Sequence, residues 1–481
     1  MRFRHVLTLL GALFLVLGAL LIIPLIISIL NKDTLLFAFI VPIISAGVVG
    51  LVLDYNKPEK IVIEKREAVA IVVFGWLFVS LLGALPFYLS GYFHSFLDAF
   101  FESVSGFTTT GASVLNDIEV LPTSLLVWRS MTHWIGGMGI IILALVILPA
   151  INVGARNLYN FESSSIAQEQ ITPKIKDTAR LLWIVYLTLT VAETLLLLLC
   201  GLSFYDAALT AMATIPTGGF SPRNASIAHY ASPSVEAIVI VFMILAGINF
   251  SLYLVVFKAN KSIRQFGDVL KFYLLIMLAG TVIVVVDLRL HSYDTLMESI
   301  RYGAFQVVSI NTTTGFVTAD YARWLPLSQI VLLILMFIGA CPGSTTGAIK
   351  NSRIIILIKS IYRELIQLIH PRAVTPIRLN NRVIDDKTIK TVLVFICMYL
   401  VFFFIASLLM TFSGTDLNTS IFSVATTLGG VGPGLGITGP MNSFSSLSAF
   451  NKIVLIACML LGRLEFYSVF LIFIPKFWKK A

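Results

Sequence analysis

Runs of mostly apolar residues, each about the 20 residues a helix needs to cross a bilayer, recur from one end of this chain to the other with no soluble domain between them. That recurrence fixes the solvent. A chain of 481 residues that is 58% hydrophobic and 12% charged, with a mean hydropathy of +0.93, has too much apolar surface for a water-soluble domain, so much of it must face lipid. The first run, Val6 to Leu30, follows Arg2 and Arg4 as a secretory signal would. It is too long for one and lacks a small-residue cleavage site, so it reads as a retained helix. Cys200, Cys341, Cys397 and Cys458 are scattered through apolar segments at no metal-ligand or disulfide-framework spacing.

Hydropathy and breaker residues predict ten helices, over 6–30, 35–53, 68–90, 121–150, 180–201, 234–257, 269–288, 327–359, 389–411 and 450–475. After the third, fifth, seventh and ninth come segments too short and too polar to cross: Phe96 to Leu115, Phe204 to Pro222, Tyr293 to Phe316 and Asp416 to Gly436. With both termini cytoplasmic, one set of loops collects Lys57, Lys60, Lys65, Arg66, Arg156, Lys174, Lys176, Arg180, Lys258, Lys261, Arg264 and the Lys350 to Lys390 stretch. The other set holds Lys32, Arg223, Arg289 and Arg323. Cytoplasmic loops carry the Lys and Arg excess of membrane proteins. The net charge of +9 therefore records topology and contact with anionic lipid or a partner, not a nucleic-acid footprint.

The four short segments are versions of one motif. Ser103-Val104-Ser105-Gly106-Phe107-Thr108-Thr109-Thr110-Gly111 and Val307-Val308-Ser309-Ile310-Asn311-Thr312-Thr313-Thr314-Gly315 both end in Thr-Thr-Thr-Gly. Ala213-Thr214-Ile215-Pro216-Thr217-Gly218-Gly219-Phe220 keeps Thr-Gly, and Gly429-Gly430-Val431-Gly432-Pro433-Gly434 keeps Gly-Val-Gly. Internal repetition of this kind sets the architecture of transporters. The expected fold is an all-α polytopic membrane protein: an N-terminal transmembrane helix pair over 1–55, then four parallel helix, re-entrant P-loop, helix repeats over 56–165, 166–262, 263–365 and 366–481 around a central pore.

Non-helical backbone at membrane depth survives only where it is buried in protein or lines water, because unsatisfied amides in hydrocarbon cost several kcal/mol each. Four such turns imply one shared aqueous axis. Glycine opens backbone angles closed to other residues, so carbonyl oxygens, with threonine hydroxyls beside them, can replace an ion's hydration shell as potassium filters do. Each short helix ends at its turn and directs its partially negative end at the axis, which favours a cation. Asp98, Asp206 and Asp416 lie near the helix starts, where a carboxylate caps and complements the dipole.

At these residues the chain resembles the TrkH/TrkG/KtrB superfamily of potassium-translocating membrane subunits, which includes fungal Trk and plant HKT transporters. Trp134-Ile135-Gly136-Gly137-Met138-Gly139 supports the likeness, which covers essentially the whole chain, and the extra N-terminal pair is TrkH-like. The resemblance implies a K+ selectivity filter of Thr109, Thr110 and Gly111; Pro216, Thr217 and Gly218; Thr313, Thr314 and Gly315; and Gly430, Val431 and Gly432. Pro216 and the Gly430-Val431 pair depart from a fourfold Thr-Thr-Gly, which implies potassium preference with imperfect discrimination.

Ile338 to Ala348 interrupts an apolar helix with residues that cannot all be helical. A phosphate-binding loop is a competing reading that fits poorly, since Lys350 is misplaced after Gly347 and no strand precedes it. A helix kinked and packed through small residues is the plainer alternative. By resemblance this loop (338–348), with Gly343, Ser344, Thr345, Thr346 and Gly347, obstructs the pore below the filter as a gate. Arg463 sits within the last span, where an ionisable group is costly and points to function. Its expected partner is Glu465 or the gate loop, in a structural ion pair or, as the resemblance implies, in the pore beneath the filter.

Glu193, Arg129, His133 and Asn249 are expected to be satisfied at helix interfaces and receive no functional role. No catalytic constellation appears: His133 and Cys341 lack a paired base or nucleophile, so the chain reads as no enzyme. A symporter coupling K+ to H+ or Na+ in the same fold stays open, although no clear relay of intramembrane carboxylates or histidines is visible. A membrane anchor would leave the four repeats unexplained. No nucleotide-binding segment is present, so nucleotide control must come from a partner. The resemblance implies a cytoplasmic TrkA-type nucleotide-binding regulatory ring shared by a homodimer and seated on loops 152–180, 258–268 and 350–390, in a prokaryotic cytoplasmic (inner) membrane, with K+ as the ion and no covalently bound cofactor.

Overall fold

The computed structural model describes residues 1–55, 58, 63–139, 175–253, 267–380 and 382–479. Among them, six helices are long and apolar enough to cross a membrane: Phe3–Asn31, Leu36–Asp54, Lys65–Leu89, Ala179–Leu199, Gly267–His291 and Asp386–Phe412. The first is interrupted at Leu21, between Phe3–Leu20 and Ile22–Asn31. Pro24 lies one turn on and its ring disfavours the preceding helical turn.

Three predicted spans differ from expectation. The span at 327–359 is two helices, Pro326–Phe337 and Asn351–Ile369, with the Gly/Ser/Thr segment between them. The span at 450–475 is bent by 111° between Ala449–Leu464 and Phe466–Phe473. The bend falls at Glu465, whose φ of 58° and ψ of 140° no L-residue adopts without strain. The span at 234–257 is helical over Pro233–Ala246 and breaks at Gly247, with residues 254–257 outside the described set. Of the span at 121–150, Thr123–Gly137 is helical and 140–150 lie outside it, as do most of the predicted basic loops at 152–180 and 258–268. A two-residue antiparallel pair, Arg378–Leu379 with Arg382–Val383, was not expected.

Four short pore helices carry the repeat: Phe96–Phe107, Phe204–Thr214, Leu296–Asn311 and Leu417–Gly429. All four are N-capped alike. The side chains of Ser95, Ser203, Thr295 and Asp416 accept from the backbone N–H three residues on, at 3.1, 3.1, 3.2 and 3.0 Å, satisfying one of the free donors of each first turn. Asp98 and Asp206 are thus not caps themselves. They sit in the first turn, and their carboxylates pair with Lys452 at 2.6 Å and Arg223 at 2.8 Å.

Around a buried apolar core, burial differs from that of a soluble protein in two places. Large apolar side chains such as Phe37, Leu51, Leu275, Leu408 and Phe412 are exposed, while Ser103, Thr214, Thr217, Ser309, Thr313, Ser423 and Thr426 are fully buried. Buried hydroxyls at the pore helices, within an apolar core and an apolar outer surface, are what a lipid-embedded conduit requires. The N-terminal pair joins this body from outside. Gly11 and Gly50 bring its two long helices into backbone contact, and Asp33 accepts from Ser124 of the first repeat at 2.6 Å.

Candidate ion-conduction site

Each pore helix ends in a turn of the same shape. Thr109, Thr217 and Thr313 have φ of 56°, 57° and 54°, and Gly430 has 69°. Two residues later Gly111, Gly219, Gly315 and Gly432 have φ of 82°, 78°, 78° and 107°. The residue between them donates its backbone N–H to the carbonyl five positions back: Thr110 to Ser105 and Gly218 to Ala213 at 2.9 Å, Thr314 to Ser309 and Val431 to Thr426 at 2.8 Å. A β-branched residue in the left-handed region is strained, and three of the four repeats place threonine there.

This conformation sets the register between repeats. By this geometry Thr109-Thr110-Gly111 corresponds to Thr313-Thr314-Gly315 and Gly430-Val431-Gly432. In the second repeat the triple of the same geometry is Thr217-Gly218-Gly219, one residue later than the Pro216 to Gly218 that the resemblance implies. Pro216 instead precedes the turn and packs against Gly137.

The four turns close into a ring. A Cβ added to Gly111 would strike the carbonyl oxygen of Gly218, one on Gly219 that of Thr314, one on Gly315 that of Val431, and one on Gly432 that of Thr110. The repeats therefore follow one another in chain order, the fourth meets the first, and each junction requires glycine both for its φ and for the approach of the next backbone. A cavity of about 250 Å³ opens past the glycines, lined among others by Gly111, Gly219, Gly315, Gly432, Asn116 and Asn224.

At the other end of the ring lies the segment between Phe337 and Asn351. Its neck is closed by Gly339 donating to Ile349 at 3.0 Å and Ile349 to Phe337 at 3.1 Å. Its tip reaches the strained threonines: Gly347 N–H donates to Thr313 Oγ1 at 2.8 Å, Thr217 Oγ1 donates to Thr345 Oγ1 at 3.4 Å, and Thr345 Oγ1 to Ile215 O at 3.0 Å. Thr345 and Thr346 are buried, Ser344 and Gly347 half-buried, and Gly343 exposed. Asn311 donates to Ile338 O at 2.9 Å, and Phe250 N–H to Gly343 O at 3.0 Å. These contacts set aside the plain kinked helix, because the loop touches the ring at two repeats.

Arg463 faces this loop. It donates to Thr345 O at 3.2 Å and to Gly136 O and Gly137 O at 2.6 and 3.1 Å. Glu465, the other partner considered from sequence, instead binds Arg353 at 2.7 Å on the helix that follows the loop. Lys350, set aside as a phosphate ligand, donates to Thr346 O and, at 3.0 Å, to Thr346 Oγ1. Asn311 and Lys350 are loop anchors beyond those expected from sequence. Each is a polar residue beside a Thr/Gly segment at membrane depth, a signal that was available.

Among the described residues no group of three or more His, Cys, Asp or Glu is arranged to hold a metal ion. The ring offers backbone carbonyl and threonine hydroxyl oxygens, which suit a weakly held monovalent cation in transit.

The profile of the TrkH family, described as a cation transport protein, matches residues 35–480. The Trk system potassium uptake protein TrkH of Escherichia coli (strain K12) is 37% identical over 486 aligned positions that cover 100% of both chains. TrkG of the same organism is 34% identical over 95% of this chain and 94% of its own. The crystal structure of the potassium transporter TrkH from Vibrio parahaemolyticus superposes with a TM-score of 0.89 at 31% identity, covering 100% of each chain.

Proposed function

The chain belongs to the TrkH family of cation transport proteins, and from that premise we propose that it takes up potassium through a gated, channel-like pore. The observation that carries the reading is the closed ring of four left-handed turns in which each glycine meets the preceding carbonyl of the next repeat. Carbonyl oxygens of Thr110, Gly218, Thr314 and Val431, with the hydroxyls of Thr109, Thr217 and Thr313, form the K+ filter. The fourth repeat supplies Gly430 and therefore no hydroxyl at that level, which supports a potassium preference looser than a fully fourfold site would give.

The loop from Ile338 to Ala348 is the gate, supported by its bonds to Thr217 and Thr313. Arg463 holds it shut through Thr345 O, and its fixed positive charge opposes a cation leaving the ring. In our reading the repeats divide at 56–165, 166–262, 263–365 and 366–481. The protein is multi-pass in a bacterial inner membrane with both termini cytoplasmic, by its Lys and Arg pattern, and two copies share a cytoplasmic TrkA-type nucleotide-binding ring.

Rubidium uptake into liposomes holding the purified protein, with potassium, sodium or lithium as competitor, tests the reading. Potassium should compete well and sodium poorly. No uptake, even after deletion of Gly343 to Gly347, would overturn the pore assignment and favour a membrane anchor.

A further inference from the structure

Nine residues ahead of each ring glycine the pore helix carries a buried polar side chain: Glu102 before Gly111, Thr210 before Gly219, Gln306 before Gly315 and Ser423 before Gly432. Three of them meet the chain that leaves the ring. Glu102 accepts from Val114 N–H at 3.0 Å and from Ser113 Oγ at 3.0 and 3.1 Å. Gln306, with its amide oxygen turned inward, accepts from the N–H of Thr318 at 2.8 Å. Val114 and Thr318 each stand three residues beyond their glycine. Ser423 Oγ bonds Thr438 Oγ1 at 2.8 Å. The position is a buttress for the outgoing strand.

Only the first repeat carries a charge there, and its partner within the repeat also reaches across the boundary to the second. Arg129, on the second helix of the first repeat, donates Nε to Glu102 at 2.7 Å and Nη1 to the carbonyl of Ser221 at 2.9 Å. Its guanidinium lies 3.6 Å over the ring of Phe220. Ser221 follows Gly219 by two residues, as Ser113 follows Gly111. Glu102 is 0% exposed and Arg129 2%, so the pair is shielded from solvent. A planar fork can hold a carboxylate, a carbonyl and an aromatic face together, and an ammonium cannot.

We propose that the Glu102–Arg129 pair is a specificity-determining brace that fixes the distance between the first two filter strands, so that cation discrimination depends on two residues that do not touch the ion. The inference rests on the potassium-filter reading. Breaking one partner of a buried pair leaves an uncompensated charge and endangers folding, whereas removing both is tolerated far better. The informative variants are therefore Glu102→Gln/Arg129→Met, whose amide can still receive Val114 as Gln306 receives Thr318, and Arg129→Lys, which keeps the charge.

Two measurements separate a brace from ordinary scaffolding: rubidium uptake into liposomes against potassium or sodium, and thermal stability of the purified protein in potassium and in sodium chloride at equal ionic strength. A ligand that binds the folded state raises its stability, so wild-type protein should be more stable in potassium. Both variants should lose that difference, and the potassium-to-sodium competition ratio should fall about tenfold, the change that about 1.4 kcal/mol of discrimination represents. A wild-type ratio in both variants, with stability lowered equally in the two salts, would overturn the brace. A wild-type protein that itself shows no potassium preference would instead overturn the filter reading.

Discussion

Thr217 carries the sharpest consequence at the scale of single residues. Its φ of 57° matches Thr109 and Thr313, which makes Gly219, not Gly218, the counterpart of Gly111. From letters alone, Thr-Gly in the second repeat aligns with Thr-Gly in the others, and the doubled glycine conceals the shift, because backbone angle is not written in residue identity. In the first, third and fourth repeats the triples that the resemblance implies end on the glycine of positive φ, Gly111, Gly315 and Gly432, so no such shift arises. Gly219→Ala should cut potassium flux at least about tenfold, because a left-handed φ disfavours a side chain and its Cβ would strike Thr314 O. Pro216→Ala, outside the triple, should leave the potassium-to-sodium ratio near wild type. Equal losses of selectivity in the two variants, measured by rubidium competition, would place the filter one residue earlier.

Among elements, the pore helices were the most legible, because polar caps, short length and a Thr/Gly end are all written locally. Ser203→Ala should cost about 1 kcal/mol of stability, read as the free-energy change in detergent-to-SDS unfolding, and a change near zero would mean the cap at 3.1 Å contributes nothing. The broken helix at 338–348 was legible for a similar reason, since Gly-Ser-Thr-Thr-Gly cannot propagate through an apolar span. The 111° bend at Glu465 was not. Leu461-Gly462-Arg463-Leu464-Glu465 holds no proline, and the bend depends on Arg353 of a distant helix taking the Glu465 carboxylate at 2.7 Å, which no local pattern encodes. Arg463 stands in the last turn before the bend and donates to Thr345 O of the loop. Arg463→Gln removes the fixed charge and weakens the bond to Thr345 O, so basal rubidium uptake should rise several-fold, about 1 kcal/mol of lost hold on the closed loop. Unchanged or lower uptake by a folded variant would show that Arg463 does not keep the gate shut.

Across the whole molecule, the chain order of the repeats is also their order around the ring, and the last closes on the first through Gly432 and Thr110 and through Lys452 bound to Asp98 at 2.6 Å. Four parallel copies could be counted in the sequence, but the closure depends on contacts across more than three hundred residues. A ring whose four members are not identical predicts four unequal contributions to one property. The most direct test is the potassium-to-sodium competition ratio for rubidium uptake in four matched variants, Gly111→Ser, Gly219→Ser, Gly315→Ser and Gly432→Ser, each reconstituted in liposomes. Every one of the four should lower the ratio. A folded variant from any repeat that keeps the wild-type ratio would contradict a single filter built from all four.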